Sequence, residues 1–363
     1  RRLFMTIIGI AGCTALVYTG ISLKNSIDEI GGKQFGDIKF YNMQINLKYD
    51  MTDEEVAQVV ENTRKIEEIT EANAVRERST DIVANGVNKS IFYMVGESDA
   101  LPKYIKLQNR KNKEKIDLTD AGIIITEKLS EELKVKVGDT VTLKSGEKEG
   151  KAQIIGITEN YLYNYIYMTP TVYQEVYHEQ VQYNEILANT LEINNEKENE
   201  LAQKIKEDSK ISGIVLMRVI NDEYKSSLGG LSSIVFLCVG CASLLAFIVL
   251  FNLNTINIEE RKRELATIKV LGFYIKEVSS YVFRENIILS IIGGIVGLFL
   301  GMLILGPIMK SAEVETIYLP ITLNFLTFVL SFALTMVFTI VTDKLMNRRL
   351  RKIDMIESLK SVE

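Results

Sequence analysis

The only histidine is the first place to look for chemistry. His178-Glu179 begins the H-E-x-x-H pattern, in which two histidines one helical turn apart hold zinc and the glutamate serves as base. Position 182 is Gln, so the second ligand is missing. A Ser-His-Asp triad would need the same His178, and no G-x-S-x-G elbow occurs to present a serine. No G-x-x-x-x-G-K-[ST] loop occurs either, so ATP is not held by that device. Cys238 and Cys241 have the C-x-x-C spacing of a redox pair, but no preceding strand and no charge would activate a thiolate. They read better as small residues on a packed helix. Tyr161, Tyr163, Tyr165 and Tyr167 alternate strictly. Such a stripe serves a carbohydrate or peptide platform, or more commonly one face of a strand with half-buried rings and wet hydroxyls. No catalytic or metal-binding residue is assigned, no cofactor is expected on this chain, and an enzyme is not expected.

The elements that hold these residues are dominated by four apolar runs at 3–23, 228–253, 287–309 and 321–341, none with a charged side chain. Each reaches the roughly 20 residues that cross a bilayer, and charges are expensive in hydrocarbon. Arg1-Arg2 before the first run suggests a signal peptide, and the residues 10–13 resemble a lipoprotein cleavage box, but the run stays apolar past Cys13. A retained anchor follows. The short segments 1–2, 259–277 and 343–363 carry two, five and six Lys/Arg, against Lys310 alone in 307–320. Positive charge stays on the cytosolic side. Both ends are therefore expected in the cytosol of a plasma-membrane, multi-pass protein embedded in the lipid bilayer, with 24–227 outside. That segment has 27 Lys/Arg and 36 Asp/Glu, a balance that argues against nucleic acid as a partner. It contains no cysteine, so no disulfide framework holds it.

The fold class that results is a membrane α-helical protein with four transmembrane helices and a large extracytoplasmic α+β domain inserted between helices 1 and 2. Its expected divisions are 1–23 for helix 1, 24–227 for the external domain, 228–253 for helix 2, and 254–286 for a cytosolic segment, which the resemblance described below makes a coupling segment, with the start of helix 3. Helix 3 then occupies 287–309, an external loop 310–320, helix 4 321–341 and a cytosolic tail 342–363. Within the external domain, strands are expected at 39–47, 74–83, 90–95, 140–143, 152–157, 185–193 and 213–219. A capping box at Thr52 and Glu55 opens a helix whose Val56, Val59, Val60 and Ile66 share a face. Residues 122–139 read as strand, short helix and a turn at Gly138-Asp139, and 196–207 as a helix.

Between the second and third apolar runs lies an amphipathic segment, with Leu265, Ile268 and Leu271 on one stripe and Gly272 placed to end the helix. Physics alone leaves two uses for it: a basic loop that fixes topology, or a docking element. Glu260, Arg261, Lys262, Arg263 and Glu264, followed by the run to Gly272 and Phe273, resemble the signature of FtsX-like permeases, the MacB-type membrane subunits of ATP-binding-cassette (ABC) systems. Arg284-Glu285-Asn286, then Gly293, Gly297 and Gly301, agree with it. So does the tail from Arg348 to Lys360, though Met355 stands where proline is usual. Residues 122–139 are similar to part of the family's external domain, and 2–27 look like the opening of the second module of a larger Gram-positive permease.

The resemblance implies a permease subunit that transmits the motion of a cytosolic ABC ATPase to the external domain, for export or handling of peptides, lipids or cell-envelope material. The alternative is a nontransporting relay that activates a wall hydrolase or sensor kinase. ATP would be bound by the partner subunit. A second permease module, the same or a homologous chain, is also implied. The ATPase-coupling residues are then Glu260, Arg261, Lys262, Arg263, Glu264, Leu265, Ile268, Leu271, Gly272 and Phe273. Gly293, Gly297 and Gly301 recur every four residues and mark a helix-packing face. The external domain is expected to form two lobes, 24–80 with 183–227, and 81–182.

Overall fold

A computed structural model describes residues 2–146, 148–260, 264, 267–268, 270–319, 321 and 324–350. These fall into two compact units. One holds the apolar helices: 1–28, 228–312 and 319–363. The other holds 29–227 together with 313–318.

The helical unit is built from α1 (Arg2–Gly32), α6 (Met217–Glu260), α7 (Ile275–Ala312) and α8 (Phe325–Leu350). Each contains a stretch long and apolar enough to span a bilayer. The helices run past the apolar segments because helical backbone satisfies its own polar groups in either solvent. The fourth begins at Phe325, and the third at Ile275, within the stretch 254–286 expected to hold its start. Small residues bring them together. A methyl added at Gly9 would meet Leu253, and one at Gly20 would meet Val239, both on α6. Thr14 Oγ1 lies 3.2 Å from Thr335 Oγ1 on α8, and Thr339 donates to Ser290 at 3.0 Å. Asp343 on α8 is buried and accepts from Asn254 of α6 (3.2 Å) and Asn286 of α7 (3.0 Å). That carboxylate ties three helices together, although the hydropathy pattern had placed it in the tail.

The second unit carries the strands β1 (Met43–Leu47), β2 (Ile69–Ala84), β3 (Val87–Val95), β4 (Ile123–Thr126), β5 (Thr140–Ser145), β6 (Lys148–Thr158), β7 (Tyr165–Met168), β8 (Glu185–Thr190) and β9 (Ile211–Leu216). The helices α2 (Asp53–Arg64), α3 (Glu127–Leu133), α4 (Pro170–Tyr177) and α5 (Asn195–Lys206) accompany them. Strands β2, β8, β1 and β9 form an antiparallel sheet, with neighbours in that order. Its chain order, β1-α2-β2 then β8-α5-β9, is a split βαβ arrangement. Val56, Val59 and Val60 of α2 and Leu201 and Ile205 of α5 cover one face over Met43 and Ile45. The Thr52 and Glu55 capping box is formed in full.

Between β2 and β8 the chain makes a second body. Strands β2, β3, β7, β4, β6 and β5 pair in sequence, and β5 pairs back to β2, closing a ring of six. Closure leaves these strands without free edges. Ile82, Ile91, Ile125, Val141, Leu143 and Ile166 belong to the core that fills it, with α3 and α4 adding Leu129 and Tyr173. The long β2 belongs to both bodies. Asn85 and Gly86, both at positive φ (51° and 77°), make the two-residue turn that pairs β2 with β3.

Candidate functional site

Residues 159–164 join β6 to β7, and three segments continuous with the membrane helices meet there. The first is the end of the α1 helix, continuing as a wider turn through Lys33–Ile38. Gln34 on that turn is 1 % exposed. Its amide donates to Asn160 Oδ1 (2.9 Å) and its carbonyl accepts from the backbone N–H of Tyr161 (2.9 Å) and Leu162 (3.3 Å). The second is the start of α6, where Tyr224 packs on Phe35 with ring centres 5.3 Å apart and its hydroxyl lies 3.2 Å from that of Tyr163. The third is 313–318, the connection between α7 and α8. Tyr163 N donates to Thr316 O at 2.7 Å, Tyr318 N donates to Tyr161 O at 2.8 Å, and Leu162 bridges Ile317 in antiparallel fashion.

Lys128 fastens this third segment from α3. It is 6 % exposed, and its ammonium donates to the carbonyls of Val314, Glu315 and Ile317 at 2.6, 2.9 and 3.0 Å. An ammonium has three N–H donors, so each is spent on one carbonyl. Burial lowers the Lys128 pKa while Glu132 and other nearby acids oppose that effect. Tyr318 reaches Glu131 at 3.2 Å. Beneath the junction Glu159 is 3 % exposed. Burial would raise its pKa, but hydrogen bonds from Lys113 (2.6 Å), Tyr161 (2.5 Å) and Gln108 (2.9 Å) outweigh it and hold the carboxyl below the ordinary value.

The alternating tyrosines are therefore not one strand face. Only Tyr165 and Tyr167 lie in β7, and both are buried, as is Tyr161. Tyr163 sits at φ 60° in the junction. The Tyr161 and Tyr165 hydroxyls are not wet: they donate to Glu159 and Glu77. The expectation failed because alternation shows a period but not where a strand begins.

The other sequence candidates lie apart. His178 caps the end of α4 at φ 55°, and Glu179 pairs with Lys148 and Tyr173. Cys238 and Cys241 are exposed on α6, whereas Cys13 is buried. Among the described residues no group of three or more His, Cys, Asp or Glu is arranged to hold a metal. Of the coupling segment, Arg261, Lys262, Arg263 and Leu265 lie outside the described residues. Glu260 and Glu264 are exposed, and Leu271 and Phe273 are 73 % and 52 % exposed. Gly272 takes φ 97°, the left-handed conformation that ends a helix without a side-chain clash. Gly293, Gly297 and Gly301 face α1: the nearest atoms to an added methyl belong to Ile10, to Ala11 and Thr14, and to Tyr18 and Ala15.

The described residues thus combine helices long and apolar enough to cross a membrane with a large α+β unit. A sequence model of the MacB-like periplasmic core domain matches residues 3–207, and one of the FtsX-like permease C-terminal region matches 236–355. The chain belongs to the FtsX/MacB-type permease family of ABC systems. Members of this family normally work with an ABC ATPase. A search of curated proteins gives no match.

Among solved structures, the periplasmic region of MacB from Actinobacillus actinomycetemcomitans is 14 % identical, with a TM-score of 0.35, covering 51 % of this chain and 93 % of that one. The extracellular domain of the noncanonic ABC-type transporter YknZ from Gram-positive bacteria is 16 % identical, with a TM-score of 0.33 over 48 % of this chain and 98 % of that one. A domain of a putative permease from Porphyromonas gingivalis is 12 % identical, with a TM-score of 0.27 over 45 % and 70 %.

Proposed function

We propose that this chain is the membrane subunit of an ABC system and carries the motion of a separate cytosolic ATPase to its extracellular domain, in the export or handling of peptides, lipids or envelope material. The observation that supports this reading is the meeting of three membrane-connected segments on residues 159–164. A domain that merely hung from the membrane would need only its two chain ends. Here a third segment is bound by backbone pairing and by a buried lysine, so a relative shift of the helices must be felt at one place. In this reading 260–273 docks on the ATPase, both termini lie in the cytosol, ATP stays on the partner, and a second permease module completes the assembly.

The test is hydrogen exchange on the full assembly with its ATPase, in nucleotide-free and ATP-bound states. Exchange of the 159–164 and 313–318 amides is expected to change with nucleotide. Lys128→Met is expected to abolish that change while ATP hydrolysis continues. Identical exchange in the two nucleotide states would sink the relay reading.

A further inference from the structure

Where β2 leaves the antiparallel sheet for the six-strand ring, a cavity of about 480 Å³ opens. That is within the size range of small-ligand sites, which favour the seams between two bodies. Gln44 and Asn46 of β1 line it, with Arg76 and Arg78 of β2 and Glu185 at the start of β8. Gln44 and Asn46 are here because the strand alternates: Met43, Ile45 and Leu47 take the core.

The hydrogen-bond inventory of this lining leaves donors free. Glu185 is 9 % exposed and both its oxygens are engaged, by Gln44 at 3.0 Å and Asn184 at 3.3 Å. Arg76 is fixed by Tyr93 through Nε (3.0 Å) and by the Gln182 carbonyl through Nη1 (2.6 Å). Its other Nη has no partner among the described residues. Nor does the Asn46 side-chain N–H₂. Arg78 makes no hydrogen bond or ion pair through its guanidinium among the described residues. It lies over the Tyr49 ring, 5.9 Å from the centroid.

Charge points the same way. The lining carries Lys48, Arg76 and Arg78 against Asp50 and Glu185. Burial first, then the neighbouring Glu77, push the Glu185 carboxyl up to about 8, while Lys39 and Arg78 act in the opposite sense. Even with Glu185 ionised the lining carries one more cation than anions, and the raised Glu185 pKa adds to that surplus, within a segment that has nine more acids than bases. A guanidinium fork with spare donors matches the planar edge of a carboxylate or the face of a phosphate.

We propose that this seam cavity is an extracellular binding site for a small polar ligand held through an oxyanion, with Arg78 as its principal contact and Arg76 and Asn46 as supporting donors. The site does not depend on the ATPase partner or on the junction at 159–164.

Binding is tested by calorimetry on the full chain in nanodiscs of neutral lipid. The probes are glycerol 1-phosphate, acetyl-alanyl-alanine, and the C-terminal amide of the same dipeptide. An anionic probe is expected to bind saturably and the amide much more weakly. Preference for the phosphate points to a headgroup-like source, and preference for the carboxylate to a peptide end. Arg78→Gln is expected to weaken the preferred probe roughly tenfold, the weight of a lost charge-assisted contact. Arg78→Lys should recover part of that loss. Arg78 is exposed, so both variants should unfold at the wild-type temperature. Equal binding of the amide, unchanged binding by Arg78→Gln, or no saturable binding of either anion in the millimolar range would overturn the proposal.

Discussion

Glu185 is held in the fold at an energetic cost that depends on pH. Burial, and after it the neighbouring Glu77, push its carboxyl in the folded chain up to about 8, from about 4.5 for an ordinary glutamate. Between those values the folded state keeps a proton that the unfolded chain has already released, so stability falls as pH rises through that window. Below the window both states are protonated and the penalty vanishes. Above it both are ionised and the penalty stays constant. Glu185→Gln removes the titration but turns an N–H₂ toward one of the donors Gln44 and Asn184, a fixed loss. The expected result is that the melting temperature of the variant, measured relative to wild type, climbs steadily from pH 5 to pH 8. A flat difference would show that Glu185 is ionised throughout.

Residues of this kind were not legible in the sequence. Lys128 stands between Glu127 and Leu129 in a run that reads as strand, short helix and turn, and only its neighbours across the fold make it a buried donor to carbonyls. Gln34 gives no local sign of its burial. Asp343 falls just past the last apolar window, where hydropathy assigns water.

At the scale of elements, periodicity carried much more. The capping box at Thr52, the strand-helix-turn run at 122–139 and the helix near 196–207 all rest on local signals, and the structure has an element at each place. The turn at Asn85-Gly86 is equally local, and its two positive-φ residues join the strand runs on either side into a hairpin. The ring of six strands lay beyond any local signal, because its closing pair joins β2 to β5 across some 60 residues of chain.

The glycine row on α7 is a second element with a measurable role. A methyl on Gly297 would come within 2.6 Å of both the Ala11 carbonyl oxygen and the Thr14 side chain. The first of these is backbone and cannot turn aside. Close approach of this kind drives helix association in lipid. Gly297→Leu is therefore expected to separate α1 from α7 and destabilise the protein by about 1–3 kcal/mol. Cysteine cross-linking between the two helices and thermal unfolding in detergent report it. Normal cross-linking at the wild-type melting temperature would show that α1 tolerates the bulk.

For the whole molecule, the order of one apolar helix, a large folded insert and three more helices was open to reading because hydrophobic length is a strong signal. Orientation is a separate inference that rests on the basic residues of the short segments. It is checked with a single cysteine at Ser145, on a background lacking Cys13, Cys238 and Cys241. A membrane-impermeant maleimide is expected to label it in intact cells. Labelling only after permeabilisation would invert the topology.

The segment 313–318 changes what counts as the extracellular domain. By chain order the domain is one insert, and a soluble fragment cut at 29 and 227 would contain all nine strands. Such a fragment would lack six residues that arrive from the far end of the polypeptide. Its Lys128 would keep a charge placed for three absent oxygens, and the amide of Tyr163 and the carbonyl of Tyr161 would open to water. The isolated domain would thus present an unfilled groove that the intact protein does not have. A peptide or antibody selected against that fragment could bind a surface that is already occupied in the membrane.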